Sequence, residues 1–211
     1  MKTILIWLGV IVISLAAVMG LYYLSAQNNP GTGNSPANLA PVSAMDWKLG
    51  GQGAKAVLVE YGDYECPACG YYAPEVVQLN KDFGSSLLIV YRQFPLSQHK
   101  NANLASRSAE AAGKQGKFWE MHEKLFATQK DWAESNTAQN IFESYASGLG
   151  LDVNKFRSDL NSADIAQKIQ NDIASGNAAG LQGTPTFFLN GVEISNPQTY
   201  QNFRDLIQAK L

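Results

Sequence analysis

The residues best suited to do chemistry in this chain are Cys66 and Cys69, its only two cysteines, which enclose Pro67 and Ala68. A disulfide between them would close a loop too short to remove much entropy from the unfolded chain, so it would add little stability. A cysteine pair at this spacing, close to a strand–helix–strand pattern, is typical of a redox-active dithiol. The sequence therefore predicts that the pair forms a disulfide that is reduced and re-formed in thiol–disulfide exchange.

Cys66 is placed to become a reactive thiolate. Only the thiolate form of a cysteine attacks a disulfide, so the attacking residue must ionise easily. Pro67 suits the first position of a helix, which makes Cys66 the N-cap, with its sulfur facing unpaired N–H groups and the positive end of the helix dipole. Cys69 returns to the same face one turn later. We expect Cys66 to be the exposed nucleophile and Cys69 the more buried resolving cysteine.

A carboxylate lies in the apolar segment that precedes the motif. Glu60 falls within Ala56–Tyr61, six residues before Cys66, and burial of its charge would be costly without a role or a partner. One interpretation is a proton donor or acceptor for Cys69, acting through one water. The other is a strand residue that points to solvent. The segment alone does not decide between them.

Strand and helix patterns alternate around the motif. Ala56–Tyr61 and Leu87–Tyr91 have the β-branched, apolar character of buried strands, and a helical pattern starts at Pro67. Residues 186–189 and 192–194 are joined by Asn190-Gly191, which is typical of a hairpin turn. The remaining helices are predicted at 101–113, 118–128, 138–146, 153–160, 163–174 and 197–211. This order predicts an α/β fold with a helical insert at about 97–182.

The N-terminal segment is long and apolar. Residues 4–24 carry no charge, Lys2 precedes them, and no charged residue follows before Asp46. At ~1.5 Å per residue the segment is about 30 Å long, which matches the hydrocarbon core of a bilayer. We expect 1–24 to be a single transmembrane anchor with its N-terminus in the cytoplasm, 25–45 a flexible linker and 46–211 the folded domain.

A cleaved signal segment is the alternative interpretation of the N-terminus. The apolar region of such a segment is usually ~7–15 residues long, and Leu24-Ser25-Ala26 is a poor cleavage site. In either case the domain would lie on the extracytoplasmic side, in an oxidising compartment.

Charge and histidine spacing exclude several other functions. A formal charge of −2 offers no basic surface for nucleic acid. His99 and His122 lie 30 and 53 residues after Cys69, a spacing that matches no compact zinc site. We predict no metal and no cofactor other than the cysteine pair. His122 is expected to pack in the core of the insert, and a solvated helix face is expected at Glu110, Lys114, Lys117 and Glu120.

Three motifs occur together between residues 46 and 211. They are VLVEYGDYECPAC at 57–69, AEAAGKQGKFWEMH at 109–122 and GTPTFFLNG at 183–191. With this combination, which is far more specific than any one motif, the chain resembles the DsbA-like branch of the thioredoxin-fold thiol:disulfide oxidoreductases. That branch carries a helical domain inserted in the thioredoxin fold.

The resemblance implies a role for each residue of the site. Cys66 matches the nucleophile, Cys69 the resolving cysteine and Glu60 the buried acid. Pro185 matches a cis-proline that faces the disulfide. The backbone of Thr184 would then be free to pair with a substrate strand.

Substrate contacts are also expected at Pro67 and Ala68, between the cysteines. Ala68 stands where the best-known strong oxidant of the family has a histidine. This difference should leave Cys66 less acidic and the protein less oxidising.

The activity implied by the resemblance is donation of a disulfide to reduced or misoxidised exported proteins. A membrane quinone reductase of the DsbB or VKOR type would re-oxidise the cysteines. A reductase or isomerase on the same fold is the alternative, and a non-catalytic binder of exported chains is a less favoured one. No dimerisation segment is found before Asp46, so a monomer is expected.

Overall fold

The computed structural model describes residue 19 and residues 38–211. The chain divides into two units, Met1–Ser35 and Pro36–Leu211. The predicted anchor at 1–24, apart from residue 19, and the linker up to residue 37 lie outside the described residues. Of the helices that are described, none is both long and apolar enough to cross a bilayer.

Five strands form one mixed sheet in the order β1-β3-β2-β4-β5. They are β1 Trp47–Gly50, β2 Ala56–Gly62, β3 Leu87–Gln93, β4 Thr186–Leu189 and β5 Val192–Ile194. β2 is the central strand, parallel to β3 and antiparallel to β4. Nearly all of its residues are buried, as is typical of a strand covered on both faces, and Glu60 lies in its middle.

The described part of the chain contains eight α-helices. They are α1 Pro67–Phe83, α2 Ala102–Gly113, α3 Phe118–Ala127, α4 Gln129–Trp132, α5 Ala138–Gly148, α6 Val153–Leu160, α7 Ala163–Ala178 and α8 Tyr200–Gln208. α1 and α8 pack on one face of the sheet, where Tyr72 and Phe203 meet Phe187. On the opposite face, Ile173 of α7 packs against the cluster that contains Val59. The predicted α/β fold of the thioredoxin type is confirmed.

Helices α2 to α7 lie between β3 and β4, in the region predicted as a helical insert. Their core is aromatic, with Trp132, Phe142 and Phe156 fully buried. Two short elements were not predicted, β1 and α4. Each has only four residues, which is too few for a helical or alternating period to be recognised.

One sequence prediction about the insert is wrong. Glu110, assigned to a solvated helix face, is 4% exposed. Its carboxylate accepts hydrogen bonds from Nε1 of Trp47 at 2.8 Å and from Nε2 of Gln93 at 3.0 Å, and burial raises its pKa. The error arose because both partners lie on strands remote in sequence. Lys114 and Glu120 do face solvent.

A buried arginine joins the segment before β1 to the sheet. Arg92 on β3 forms an ion pair with Asp46, with Nε 2.8 Å from Oδ1 and both side chains almost completely buried. Its remaining N–H groups donate to the carbonyls of Ala40 and Pro41, at 3.0 and 3.1 Å, and to the Tyr61 hydroxyl at 2.8 Å. Several donors of this guanidinium therefore have acceptors although the group is removed from water.

Candidate active site

The two cysteines lie where β2 leads into α1. Cys66 is the N-cap residue, with extended backbone angles of φ −68° and ψ 122°, and Pro67 occupies the first turn. Both cysteines are free thiols. Cys66 is 7% exposed and Cys69 is 0% exposed, whereas Pro67 and Ala68 between them face solvent. Cys66 is therefore nearly buried rather than exposed as predicted, but it is the more accessible of the two cysteines.

The surroundings of Cys66 favour its thiolate. The pKa of this thiol falls to about 5, mainly because the Cys69 thiol donates a hydrogen bond to it. Burial opposes the change, while Thr184 and the backbone N–H groups of Ala68 and Cys69 support it. The helix start contributes as predicted from Pro67, but the neighbouring thiol contributes more. Burial raises the pKa of Cys69 well above its ordinary value, so one cysteine ionises and the other does not.

Thr184 faces Cys66 from the strand side of the site. The thiol of Cys66 donates to the Thr184 carbonyl at 3.3 Å. The Thr184 hydroxyl is buried and has no other hydrogen-bond partner among the described groups, so it is available to donate to a thiolate. The peptide bond between Thr184 and Pro185 is cis, and Pro185 is buried.

Glu60 is buried beneath the cysteines. It is 2% exposed, which excludes the interpretation that it points to solvent, and its Oε1 has no hydrogen-bond partner among the described groups. Tyr91 and Phe187 flank it on the neighbouring strands. Burial, and secondarily the charge of Cys66, raises the pKa of Glu60 to about 8. The carboxyl is therefore largely protonated at neutral pH and can release a proton to a strong base.

The four residues before α1, which we call the redox loop (residues 63–66), are held by side chains that the sequence did not single out. Asp63 is completely buried; its backbone N–H donates to Sγ of Cys69 at 3.4 Å. Its Oδ2 accepts from the Leu96 N–H at 2.8 Å and lies 2.6 Å from Nδ1 of His99. Glu65 accepts a hydrogen bond from the backbone N–H of Asn101. Both acids directly precede the motif, which is the one signal in the sequence that could have identified them.

Gln129 links the redox loop to the helical insert through hydrogen bonds. Its amide Nε2 donates to the carbonyls of Tyr64 and Cys66, each at 2.8 Å. The second of these is the carbonyl of the N-cap residue, so this contact fixes the backbone that orients the Cys66 side chain. No pattern in the sequence marks Gln129, which lies 63 residues from Cys66.

The two histidines have different surroundings. His122 is buried in α3 with its Nδ1 3.0 Å from the Tyr64 hydroxyl, and burial lowers its pKa to about 3, so it is neutral. His99 is partly exposed beside the redox loop. Within the residues that the structure describes, no group of three or more His, Cys, Asp or Glu side chains is arranged to hold a metal ion.

A family model described as thioredoxin matches residues 43–209. The chain belongs to the thioredoxin family. Among solved structures, this thioredoxin-family protein is similar to oxidised BdbD from Bacillus subtilis, with a TM-score of 0.72 and 24% identity over 81% of this chain and 95% of that one. It is also similar to the thiol-disulfide exchange protein alpha-DsbA2 from Wolbachia pipientis, with a TM-score of 0.69 and 18% identity over 79% and 88% of the two chains. The thioredoxin family and the fold implied by the resemblance are thereby confirmed.

The curated sequences that match this chain are named as antiporters rather than as thiol–disulfide proteins. The Na(+)/H(+) antiporter NhaA 1 of Mycobacterium sp. (strain KMS) is 39% identical over 147 residues, which make up 68% of this chain and 23% of that protein. The chain spans about a quarter of the length of the curated relatives it matches. The antiporter activity in the printed names is that of those longer proteins.

Proposed function

We propose that this protein is a thiol–disulfide oxidoreductase that donates its Cys66–Cys69 disulfide to cysteines of exported proteins. The observation that carries the proposal is the geometry of the pair: Cys66 is the N-cap residue of α1 and contacts Thr184, while Cys69 is fully buried. These surroundings lower the pKa of Cys66 to about 5 and keep Cys69 protonated. A stabilised thiolate favours the reduced form of the pair, and a pair that prefers to be reduced oxidises other thiols.

The reaction consists of two exchanges at sulfur. A substrate thiolate attacks Sγ of Cys66, the bond between Cys66 and Cys69 breaks, and a mixed disulfide forms while Cys69 leaves as a thiolate. A second thiolate of the substrate then attacks the substrate sulfur of the mixed disulfide. Cys66 leaves as a thiolate, the substrate holds a new disulfide, and two electrons have passed to the protein.

Glu60 serves as the proton donor in the first exchange. Cys69 leaves with a negative charge in a fully buried position, where that charge is strongly disfavoured. The Glu60 carboxyl is protonated at neutral pH, interacts with the same sulfur pair, and can neutralise Cys69 through one water. The proton returns to Glu60 when the pair is re-oxidised.

The substrate would lie across the exposed end of α1. Pro67 and Ala68 face solvent there, and the Thr184 backbone stands opposite them next to Cys66. A groove of about 490 Å³ extends from Pro67 along the boundary between α1 and the end of α3, with the exposed ring of Tyr71 at its side. An extended peptide could pair with Thr184 and place a flanking side chain in this groove.

The proposal includes a location and a redox partner. The apolar segment at 4–24 would anchor a single-pass protein with its catalytic domain outside the cytoplasm, and a cleaved form would be secreted or periplasmic. Because the cysteine pair is the only redox group proposed, a membrane enzyme of the DsbB or VKOR type would have to remove the two electrons. We expect the protein to act as a monomer.

Reduction or isomerisation on the same site is the second candidate, and Ala68 is the residue that favours it, since it contributes no charge to the motif. The reduction potential of the full chain, equilibrated against glutathione buffers, separates donation from reduction. A value of about −120 to −180 mV supports donation, whereas a value near −270 mV assigns the protein to the reductases.

The Cys66→Ala/Cys69→Ala variant tests the third possibility, a non-catalytic binder of exported chains. Loss of disulfide formation in cells that produce this variant supports exchange chemistry. Unchanged activity of the variant would make the protein a binder.

A further inference from the structure

His99 occupies a defined place beside the nucleophile although it lies outside the cysteine motif. Its Nδ1 is 2.6 Å from Oδ2 of Asp63, at the first position of the redox loop. The backbone carbonyl of the same aspartate accepts the N–H of Cys66 at 3.1 Å. One residue thus binds the histidine through its carboxylate and the nucleophile through its backbone, so the imidazole is held near Cys66.

We propose that His99 carries a positive charge beside the redox loop and stabilises the Cys66 thiolate, which makes it a positioning residue for the exchange reaction. This inference rests on the proposed function, because it matters only if Cys66 reacts as a thiolate. The motif itself brings no cation, since Pro67 and Ala68 are uncharged.

The groups that face His99 favour its charged form. Burial lowers its pKa, but the hydrogen bond and charge of Asp63, followed by the charges of Cys66 and Glu65, raise it above the ordinary value. The neighbouring cation, Lys100, is directed elsewhere, with Nζ bonded to the carbonyl of Glu134 and to Asn136. With its side chain 21% exposed, His99 is shielded enough for charge interactions to persist and open enough to exchange protons with water.

The interaction must be reciprocal. If His99 stabilises the thiolate, the thiolate stabilises the imidazolium to the same extent. The thiolate exists only in the reduced protein, because the disulfide carries no charge. The pKa of His99 should therefore be higher in the reduced than in the oxidised protein, and that of the buried His122 should not follow the redox state.

The experiment uses the full chain and two observables. NMR titration of the imidazole of His99 in the oxidised and reduced protein measures its pKa in each state. Absorbance at 240 nm measures the pKa of Cys66 in the wild-type chain and in His99→Gln, whose amide can still donate to Asp63 but carries no charge. Lys100→Gln is the matched control, since it removes one positive charge from the adjacent position.

We expect the His99→Gln variant to have a thiolate-to-thiol ratio about three to ten times lower at a given pH, the size expected for charges several ångströms apart near a protein surface. At ~30 mV per tenfold change, its potential should become about 15–30 mV less oxidising. Lys100→Gln should match the wild type in both measurements, and His99→Lys, which keeps a cation, should retain the low pKa of Cys66.

Equal pKa values of His99 in the two redox states, or an unchanged Cys66 pKa in His99→Gln, would overturn the inference. The proposed function fails separately. A wild-type potential near −270 mV refutes disulfide donation even if His99→Gln raises the pKa of Cys66, and that result would still support the role of His99.

Discussion

Replacement of Glu60 by glutamine should stabilise the protein, and the gain should grow with pH. In the folded protein the pKa of Glu60 is raised from 4.5 to about 8, mainly by burial. Below pH 4.5 the carboxyl is protonated whether the chain is folded or unfolded, so its charge costs nothing. Between these values the unfolded chain ionises first, and folding must take up a proton or bury a charge.

The size of the effect follows from the two pKa values. Their difference is about 3.5, and each pKa unit corresponds to about 1.4 kcal/mol, so the full penalty is about 5 kcal/mol once both states are ionised. In the oxidised protein the smaller contribution from the Cys66 charge is absent, which leaves about 3–5 kcal/mol. Glutamine has the same shape without the charge, so its own burial cost does not change with pH.

Urea unfolding of the oxidised wild-type chain and of Glu60→Gln at pH 5, 7 and 9 measures this difference, because the disulfide removes the titration of both cysteines. The free energy of unfolding of the variant should exceed that of the wild type by an amount that rises steadily from pH 5 to pH 9. Glu193→Gln, an exposed carboxylate on β5 of the same sheet, is the matched control. A stability gap that stays constant over this pH range would show that Glu60 is not a buried acid with a raised pKa.

Three further substitutions test individual contacts. Thr184→Val removes the hydroxyl available to the thiolate, so the pKa of Cys66, measured by absorbance at 240 nm, should rise by about one unit. Gln129→Leu removes the side-chain donor from the carbonyls of Tyr64 and Cys66, although the Cys66 carbonyl keeps the Gly70 N–H, and should lower the free energy of unfolding by about 1–2 kcal/mol in urea. Asp46→Asn leaves the Arg92 guanidinium buried without its counter-charge and should cost about 3 kcal/mol in the same assay.

Each of these substitutions has a control of the same chemistry elsewhere on the molecule. Thr128→Val removes a hydroxyl that bonds only a helix carbonyl, Gln139→Leu removes an exposed amide that contacts Glu143, and Asp164→Asn breaks an exposed pair with Lys114. The controls should behave like the wild type. If a control changes its observable as much as its partner does, the corresponding contact has no special role.

The sequence identified the parts of the site that depend on short-range pattern. The spacing of the cysteines, the proline at the helix start and the acid in an apolar strand are all read within ten residues of one another. Glu60 needed the family resemblance as well, because a strand pattern alone does not show which face of an edge or central strand is covered.

The contacts that hold the site come from remote parts of the chain and leave no such pattern. Gln129 reaches the redox loop from the insert, and Asp46 meets Arg92 across 46 positions. Polar side chains at these positions are equally common on exposed surfaces. Glu110 was assigned to solvent for the same reason, since its partners become visible only when the insert is packed against the sheet.

The contacts of Arg92 limit how far the chain can be truncated from its N-terminus without loss of stability. A fragment that starts at Asp46, where the first charged residue of the domain occurs, would keep the ion pair but lose the carbonyls of Ala40 and Pro41. Two guanidinium N–H groups would then be left without their acceptors next to the central strand. A fragment that retains all the partners of Arg92 therefore begins at or before Ala40. Leu39, whose side chain packs against the core, extends this limit by one residue. Chains shortened further should be produced in lower yield and unfold at lower urea concentration, although every residue of the redox site is still present.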